Sequence, residues 1–203
     1  MILYKRGSRG AVVKQIQKAL NLYPDGVFGP ITEEAVIKFQ QAHGITADGI
    51  VGAKTLALLI PHRLKKSKRR ITEIIVHCTA TPEGKDFTVE QIRQWHLARG
   101  FADIGYHYVI YRDGTIHDGR DVDLTGAHTT GHNTNSIGIS YVGGCGKDGK
   151  TPKDTRTEEQ KATMLGLLLD LRRMYPTAKI YGHRDFANKA CPSFDAKKEY
   201  SRI

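Results

Sequence analysis

The stretch Ile71–His77, with the sequence ITEIIVH, decides the fold of this chain of 203 residues. It is a run of β-branched residues, which is typical of a buried strand. Further segments with helix or strand periodicity follow it: a helix over 88–99, a hairpin over 106–119 that turns at Asp113-Gly114, a strand over 136–142, a helix over 157–174 and a strand over 178–181. The sequence therefore predicts an α/β domain of about 130 residues.

A proline and a basic run separate this domain from the residues before it. Pro61 closes an apolar pattern, and six of the eight residues over 63–70 are lysine or arginine. Such a charged stretch cannot bury itself. We therefore expect a first domain over 1–62, a basic linker over 63–70 and a second domain over 71–203.

The first domain contains an internal repeat. The segment Asp25–Thr32, DGVFGPIT, recurs 23 residues later as Asp48–Thr55, DGIVGAKT. In each copy the Asp-Gly pair predicts a turn and the second glycine a helix N-cap. Pro30 suits the first position of a helix, where its missing N–H costs nothing. Apolar residues at helical spacing around the first copy complete the prediction of a small module with three helices.

The net charge of +10 first suggests nucleic acid as a partner. The distribution of the charge argues against this interpretation. Residues 1–70 carry +9 of it, and the basic run over 63–70 has no interleaved aromatic residues. The chain also lacks an arginine-rich recognition helix. We expect a solvated linker, with contact to an anionic surface polymer as the alternative.

The apolar runs of the chain are short. None approaches the roughly 20 residues that a membrane-spanning helix needs, so we expect no stable membrane insertion. The first residues lead into an amphipathic segment and not into an apolar signal core. We therefore expect a protein that is made in the cytoplasm without a signal peptide.

Two histidines and a cysteine form a candidate metal site. His77 ends the buried strand, His183 follows the strand at 178–181, and Cys191 lies shortly after it. This donor set suits zinc and leaves a fourth position for water. With nine histidines and three cysteines, accidental sets are also frequent, and a histidine at a strand end is more often structural. The residues alone leave both interpretations open.

The three cysteines, Cys78, Cys145 and Cys191, are too few and odd in number for a disulfide scaffold. Reduced thiols or metal ligation are the better expectation. Because side chains alternate along a strand, Cys78 points away from the face of His77 and is expected in the core.

Six short motifs follow one another through the second domain. They are IVHCTAT (75–81), IRQWH (92–96), GYHY (105–108), RDG (112–114), NSIGI (135–139) and KACPSFD (189–195). In this order they resemble the type-2 N-acetylmuramoyl-L-alanine amidases, and most of all the small zinc amidases that tailed phages use as lysozymes. The repeat of the first domain resembles the three-helix peptidoglycan-binding module.

The resemblance implies two domains: a small all-α binding module, then an α/β zinc amidase domain with a central mixed sheet flanked by helices. It implies that Zn²⁺ is held by His77, His183 and Cys191, and that Tyr106 and Lys189 are catalytic. Many members of the wider family have aspartate where Cys191 stands, so the cysteine follows the phage subgroup.

The implied activity is hydrolysis of the amide between N-acetylmuramic acid and L-alanine of peptidoglycan, as in a phage or prophage endolysin that lyses the cell wall. His128 matches a loop histidine that lines the substrate groove of the family, which makes it a candidate for substrate binding. Such an enzyme reaches the cell wall or periplasm after the membrane opens. The alternatives are a wall-recognition protein without catalysis and a peptidase that cuts within the stem peptide.

Overall fold

The computed structural model describes residues 3–60 and 64–203. They form two compact units: the first is residues 3–60 with Leu165–Asp170, and the second is Leu64–Met164 with Leu171–Ile203. Among the described residues, no helix combines the length and the apolar character that crossing a membrane requires. The predicted linker begins at Arg63, which lies outside the described residues, as do Pro61 and His62.

The described part of the first unit contains three helices: α1 (Ala11–Ala19), α2 (Pro30–Ala42) and α3 (Ala53–Leu59). Each helix follows a glycine N-cap, and Pro30 occupies the first turn of α2 as its sequence position predicts. The core of the unit is apolar and includes Ile16, Phe28 and Val36, all fully buried.

A buried glutamine organises each copy of the repeat. The amide of Gln17, which is 2 % exposed, bonds Asp25 Oδ1, the Val27 carbonyl, Thr32 Oγ1 and the Gly26 N–H at 2.7, 3.0, 3.1 and 2.8 Å. Gln40 bonds the equivalent groups of Asp48, Ile50, Thr55 and Gly49 at 3.1, 2.9, 3.1 and 2.9 Å. The aspartate, glycine and threonine that mark the repeat are therefore used to build the turn and to start the next helix.

The second unit is built on a mixed sheet. Its strands are β1 (Glu73–Cys78), β2 (Thr81–Pro82), β3 (Tyr108–Ile110), β4 (Ile116–Asp118), β5 (Ser136–Tyr141), β6 (Gly144–Cys145) and β7 (Lys179–Gly182). The main sheet has five strands in the order β4-β3-β5-β1-β7, and β2 pairs with β6 apart from it. Neighbouring strands are parallel except for the hairpin of β3 and β4, whose loop contains the predicted Asp113-Gly114 turn. β1 lies inside the sheet and is buried from Ile74 onward, as its run of β-branched residues predicts.

Three helices accompany the sheet: α4 (Val89–Leu97), α5 (Glu158–Met174) and α6 (Ala196–Glu199). The two longer ones begin with capping boxes, formed by Thr88 with Gln91 and by Thr157 with Gln160. The buried amide of Gln160 also donates to the carbonyls of Ile110 and Val142, which fixes the start of α5 to the end of the sheet.

Strand register places His77 and Ser140 on one face of the sheet. His77 of β1 pairs with Ser140 of β5, and Ser140 pairs with Val109 of β3. Because residues paired across parallel strands project from the same side, these three side chains share a face. Val109 packs there in a cluster with Ile92 of α4. Cys78 belongs to the opposite face, as the alternation predicts.

The described part of the predicted basic linker, 64–70, is attached to the second unit and is not a free solvated segment. Ser67 is buried and its Oγ donates to the Val122 carbonyl at 2.6 Å. Arg69 donates to the carbonyls of Val122, Asn133, Thr134 and Ser136. The guanidinium thus binds carbonyls of the segment that leads into β5 and of its first residue, a long-range contact that a charge count does not reveal.

Candidate metal centre

The parallel pairing of β1 and β7 brings two histidines together. Val76 pairs with Gly182, so the next residues along the two strands, His77 and His183, meet at the carboxyl edge of the sheet with ring centroids 4.7 Å apart. Cys191 arrives from the loop after β7, with its Sγ 3.7 Å from His77 Nδ1. One donor atom from each of the three residues lies within 4.8 Å of the others. The structure thus brings together the three residues predicted as ligands.

The protonation of the two histidines suits a metal ion. Burial lowers the pKa of His77 well below its usual value, and burial followed by the charge of Lys189 lowers the pKa of His183. Both imidazoles are therefore neutral near pH 7, as ligation requires. His77 Nε2 lies 3.1 Å from His128 Nδ1, and a proton on Nε2 satisfies this contact. His77 Nδ1 is then unprotonated and faces Cys191.

Cys191 is in contact with a second cysteine, Cys78. The backbone N–H of Cys78 donates to Cys191 Sγ at 3.3 Å. The neighbouring Cys78 thiol and burial raise the pKa of Cys191 above its usual value, so a bound cation must displace a proton from this thiol. Cys78 itself is buried and lies outside the set of converging donors, in agreement with its predicted place in the core.

Two side chains that sequence reasoning missed hold the loop of Cys191. The hydroxyl of Tyr141 donates to the Pro192 carbonyl at 2.7 Å. The guanidinium of Arg156 lies 3.3 Å from the centroid of the Phe194 ring and forms ion pairs with Asp154 and Glu199. Arg156 stands alone between β6 and α5, so no periodic pattern indicates its role. Of the residues in these contacts, Phe194 belongs to the motif KACPSFD, which the sequence does display.

The two predicted catalytic residues flank the converging donors. The ring of Tyr106 lies 5.2 Å from that of His77. Burial raises the pKa of Tyr106, so its hydroxyl stays protonated and can act as a hydrogen-bond donor at neutral pH. Lys189 is exposed, and its charge contributes to the lowered pKa of His77 and of His183, which places a cation beside the site.

His128, the candidate for substrate binding, is buried beside His77. It is 7 % exposed, and its two ring nitrogens contact His77 Nε2 at 3.1 Å and Ser136 Oγ at 3.2 Å. A Cβ atom at Gly126 or Gly138 would lie 2.5 Å from His128 Cδ2, so both glycines are needed to admit the ring. Both ring nitrogens are thus engaged inside the protein, one of them with a predicted metal ligand, and the role of His128 in substrate binding stays a prediction.

The chain is similar to several known proteins. A family model for N-acetylmuramoyl-L-alanine amidase matches residues 67–194, and one for a putative peptidoglycan binding domain matches residues 9–59. The endolysin of Enterobacteria phage K11 is 44% identical over 137 residues, which cover 67% of this chain and 90% of the phage protein. A peptidoglycan-recognition protein of Drosophila melanogaster is 29% identical over 150 residues, 71% of this chain and 76% of that protein.

Solved structures extend the similarity to the fold. The N-acetylmuramoyl-L-alanine amidase LysC from Clostridium intestinale URNW superimposes with a TM-score of 0.56 at 27% identity, over 64% of this chain and 82% of that chain.

Proposed function

The chain belongs to the N-acetylmuramoyl-L-alanine amidase family and is an amidase of peptidoglycan, and we propose that it works as a Zn²⁺-dependent endolysin on the bond between N-acetylmuramic acid and L-alanine. The observation that carries the zinc dependence is the convergence of His77, His183 and Cys191 within 4.8 Å. Two nitrogens and one sulfur are a donor set that zinc accepts, and three protein ligands leave a position open for the reaction.

The chemistry has two obstacles, because an amide is a poor electrophile and water a poor nucleophile. The chemistry that Zn²⁺ supplies when bound is Lewis-acid activation of both partners. The protonated hydroxyl of Tyr106 can donate to the attacking oxygen or to the oxyanion that develops on the carbonyl. The ammonium of Lys189 adds a positive charge and a second donor for the same oxyanion. His128 keeps His77 Nε2–H engaged, which holds Nδ1 toward the site.

A wall-recognition protein without catalysis is the main rival, and one relative carries the name of a peptidoglycan-recognition protein. The complete donor set favours the hydrolase, because a protein that only recognises the wall has no need for three converging metal ligands. A peptidase that cuts within the stem peptide uses the same zinc chemistry, so only the products separate it from the amidase.

The first unit is proposed to bind peptidoglycan, which its match to a binding-domain family supports. The full chain carrying Cys191→Ala should then sediment with purified sacculi, and a chain that begins at residue 64 should sediment less. Equal sedimentation of the two would contradict the proposal. Lys66, Lys68 and Arg70 remain exposed, and contact of these residues with anionic surface polymers stays a proposal.

Synthesis in the cytoplasm, followed by action at the cell wall or periplasm once the membrane is opened, is proposed from the similarity to phage endolysins.

Mass spectrometry of digested sacculi tests the bond that is cut. We expect intact stem peptides that begin with a free L-alanine amine, together with glycan that retains its lactyl carboxyl group. Peptides cut at an internal bond would assign the activity to a peptidase instead. Metal analysis of the purified chain should give about one zinc per chain, as three converging ligands predict.

A further inference from the structure

The hydroxyl of Ser140 is buried beside the proposed catalytic site. Ser140 lies on β5 directly opposite His77 of β1, and both side chains project from the same face of the sheet. The residue is 0 % exposed, and among the described residues no group meets the geometry of a hydrogen bond to its Oγ. A buried hydroxyl without a partner is costly, and alanine would fit the same space. The hydroxyl therefore calls for a role that folding alone does not supply.

The surroundings of Ser140 point to one partner. On the side of β3 its neighbour is Val109, which has no polar side-chain atom. On the side of β1 it is His77, whose ring nitrogens face His128 and Cys191. The ring of Tyr106 lies over this face, 5.2 Å from the His77 ring. Tyr106 also packs against the cluster that contains Val109, so its ring contacts the residues on both sides of Ser140.

We propose that Ser140 is a positioning residue, whose Oγ–H donates to the phenol oxygen of Tyr106 when substrate is bound. This bond occupies the acceptor side of the tyrosine hydroxyl and turns its proton toward the reacting carbonyl. Hydrogen bonds in catalytic sites are often long in the free enzyme and shorten in the complex, which agrees with the unmade bond in this structure. A donor behind the phenol also strengthens the bond that the phenol donates, since linked hydrogen bonds polarise one another.

The inference rests on the proposed catalytic role of Tyr106, and a double-mutant cycle separates the two. The variants are Ser140→Ala, Tyr106→Phe and the double variant, with kcat and KM measured on a soluble N-acetylmuramoyl tripeptide. Ser140→Ala should lower kcat about 3- to 10-fold with little change in KM, the range expected for one net hydrogen bond. In the Tyr106→Phe background the same substitution should change kcat less than about 2-fold, because the group that it positions is absent.

Three controls keep the outcome clear. Zinc content and thermal unfolding should match the wild type for Ser140→Ala. Thr163→Val removes another buried hydroxyl, which donates to the Gly114 carbonyl at 2.7 Å, and should show no coupling to Tyr106. If Ser140→Ala does not fold, Ser140→Cys of similar volume and weaker hydrogen bonding replaces it in the same cycle.

Two results overturn the inference: an equal loss of kcat for Ser140→Ala in both backgrounds, or no loss in the wild-type background. A Tyr106→Phe variant with normal kcat would instead overturn the catalytic role of Tyr106, and with it the basis of the inference. An impaired Tyr106→Phe variant with an additive cycle removes Ser140 alone and leaves the proposed function standing.

Discussion

The repeat of the first unit and the candidate metal centre of the second are both built around buried polar side chains, but they use them differently. In the repeat, the amides of Gln17 and Gln40 are fully engaged by groups of their own turns. In the candidate centre, one ring nitrogen from each of His77 and His183 and the sulfur of Cys191 lie within 4.8 Å of one another. Saturated polar groups stabilise a fold, whereas donor atoms that converge from separate segments are available to a ligand once the thiol among them loses its proton.

Cys191→Ala tests the candidate metal centre, where the largest effect is expected. Without the sulfur, the chain should lose zinc on dialysis and lose turnover by more than the roughly 1000-fold that removal of one oxyanion donor costs. Cys145→Ala is the matched control, because this buried thiol lies outside the donor set, and it should behave like the wild type. Metal analysis and stem-peptide release measure both properties. A metal-free Cys191→Ala chain with full activity would refute the assignment.

Tyr106→Phe and Lys189→Ala should separate catalysis from metal binding. Each removes a donor to the developing oxyanion and leaves the three ligands intact, so we expect a 100- to 1000-fold loss of kcat, roughly, with normal zinc content. Steady-state kinetics and metal analysis of the same preparation check the result. Near-normal kcat in either variant would reduce that residue to a packing role.

His128→Gln tests whether His128 orients His77, one of the three proposed ligands. Loss of the imidazole behind His77 should weaken zinc affinity about 10- to 100-fold, as for other residues that orient metal-bound histidines. Competition with a chelator measures the affinity. His132→Gln is the control from the same loop, since His132 pairs with Glu73 at 2.9 Å and not with a ligand. Equal affinities in the two variants would mean that His128 does not orient His77.

Gln17→Ala and Gln40→Ala test the repeat of the first unit, where the smallest effect on activity is expected. Each leaves buried groups of one turn without partners and should destabilise the first unit by about 1–3 kcal/mol. Hydrogen exchange of its amides in the full chain measures the loss, and kcat on a soluble muramyl peptide should not change. Gln41→Ala, an exposed neighbour in α2, is the control. Unaltered exchange in the first two variants would show that the glutamines do not hold the turns.

Local patterns predicted the elements of the second unit. The run over 71–77 is found as β1 over Glu73–Cys78, and the helix expected over 157–174 is found as α5 over Glu158–Met174. The two expected helix starts carry capping boxes. These predictions succeed because strand and helix periods, and the polar residues that start helices, are properties of a few adjacent residues.

Contacts between distant segments could not be predicted in this way. The charge of Arg69 indicated a solvated linker, yet its guanidinium binds carbonyls that lie 53 to 67 positions further along the chain. Gln17 and Gln40 are 23 residues apart, which is the spacing of the repeat. This spacing indicates that they belong to the repeat, although the turn motif itself contains only the aspartates, glycines and threonines. The place of His128 depends on Gly126 and Gly138, which only the packed structure brings next to it.

A substitution at Gly138 would act on the candidate metal centre indirectly. Gly138 has no functional group, and it lies on β5 one strand away from the nearest ligand. A single added methyl group there would meet His128 at 2.5 Å and displace the imidazole that contacts His77. Inactivating changes in natural variants can therefore arise at positions with nothing to contribute to the chemistry, where the required property is empty volume.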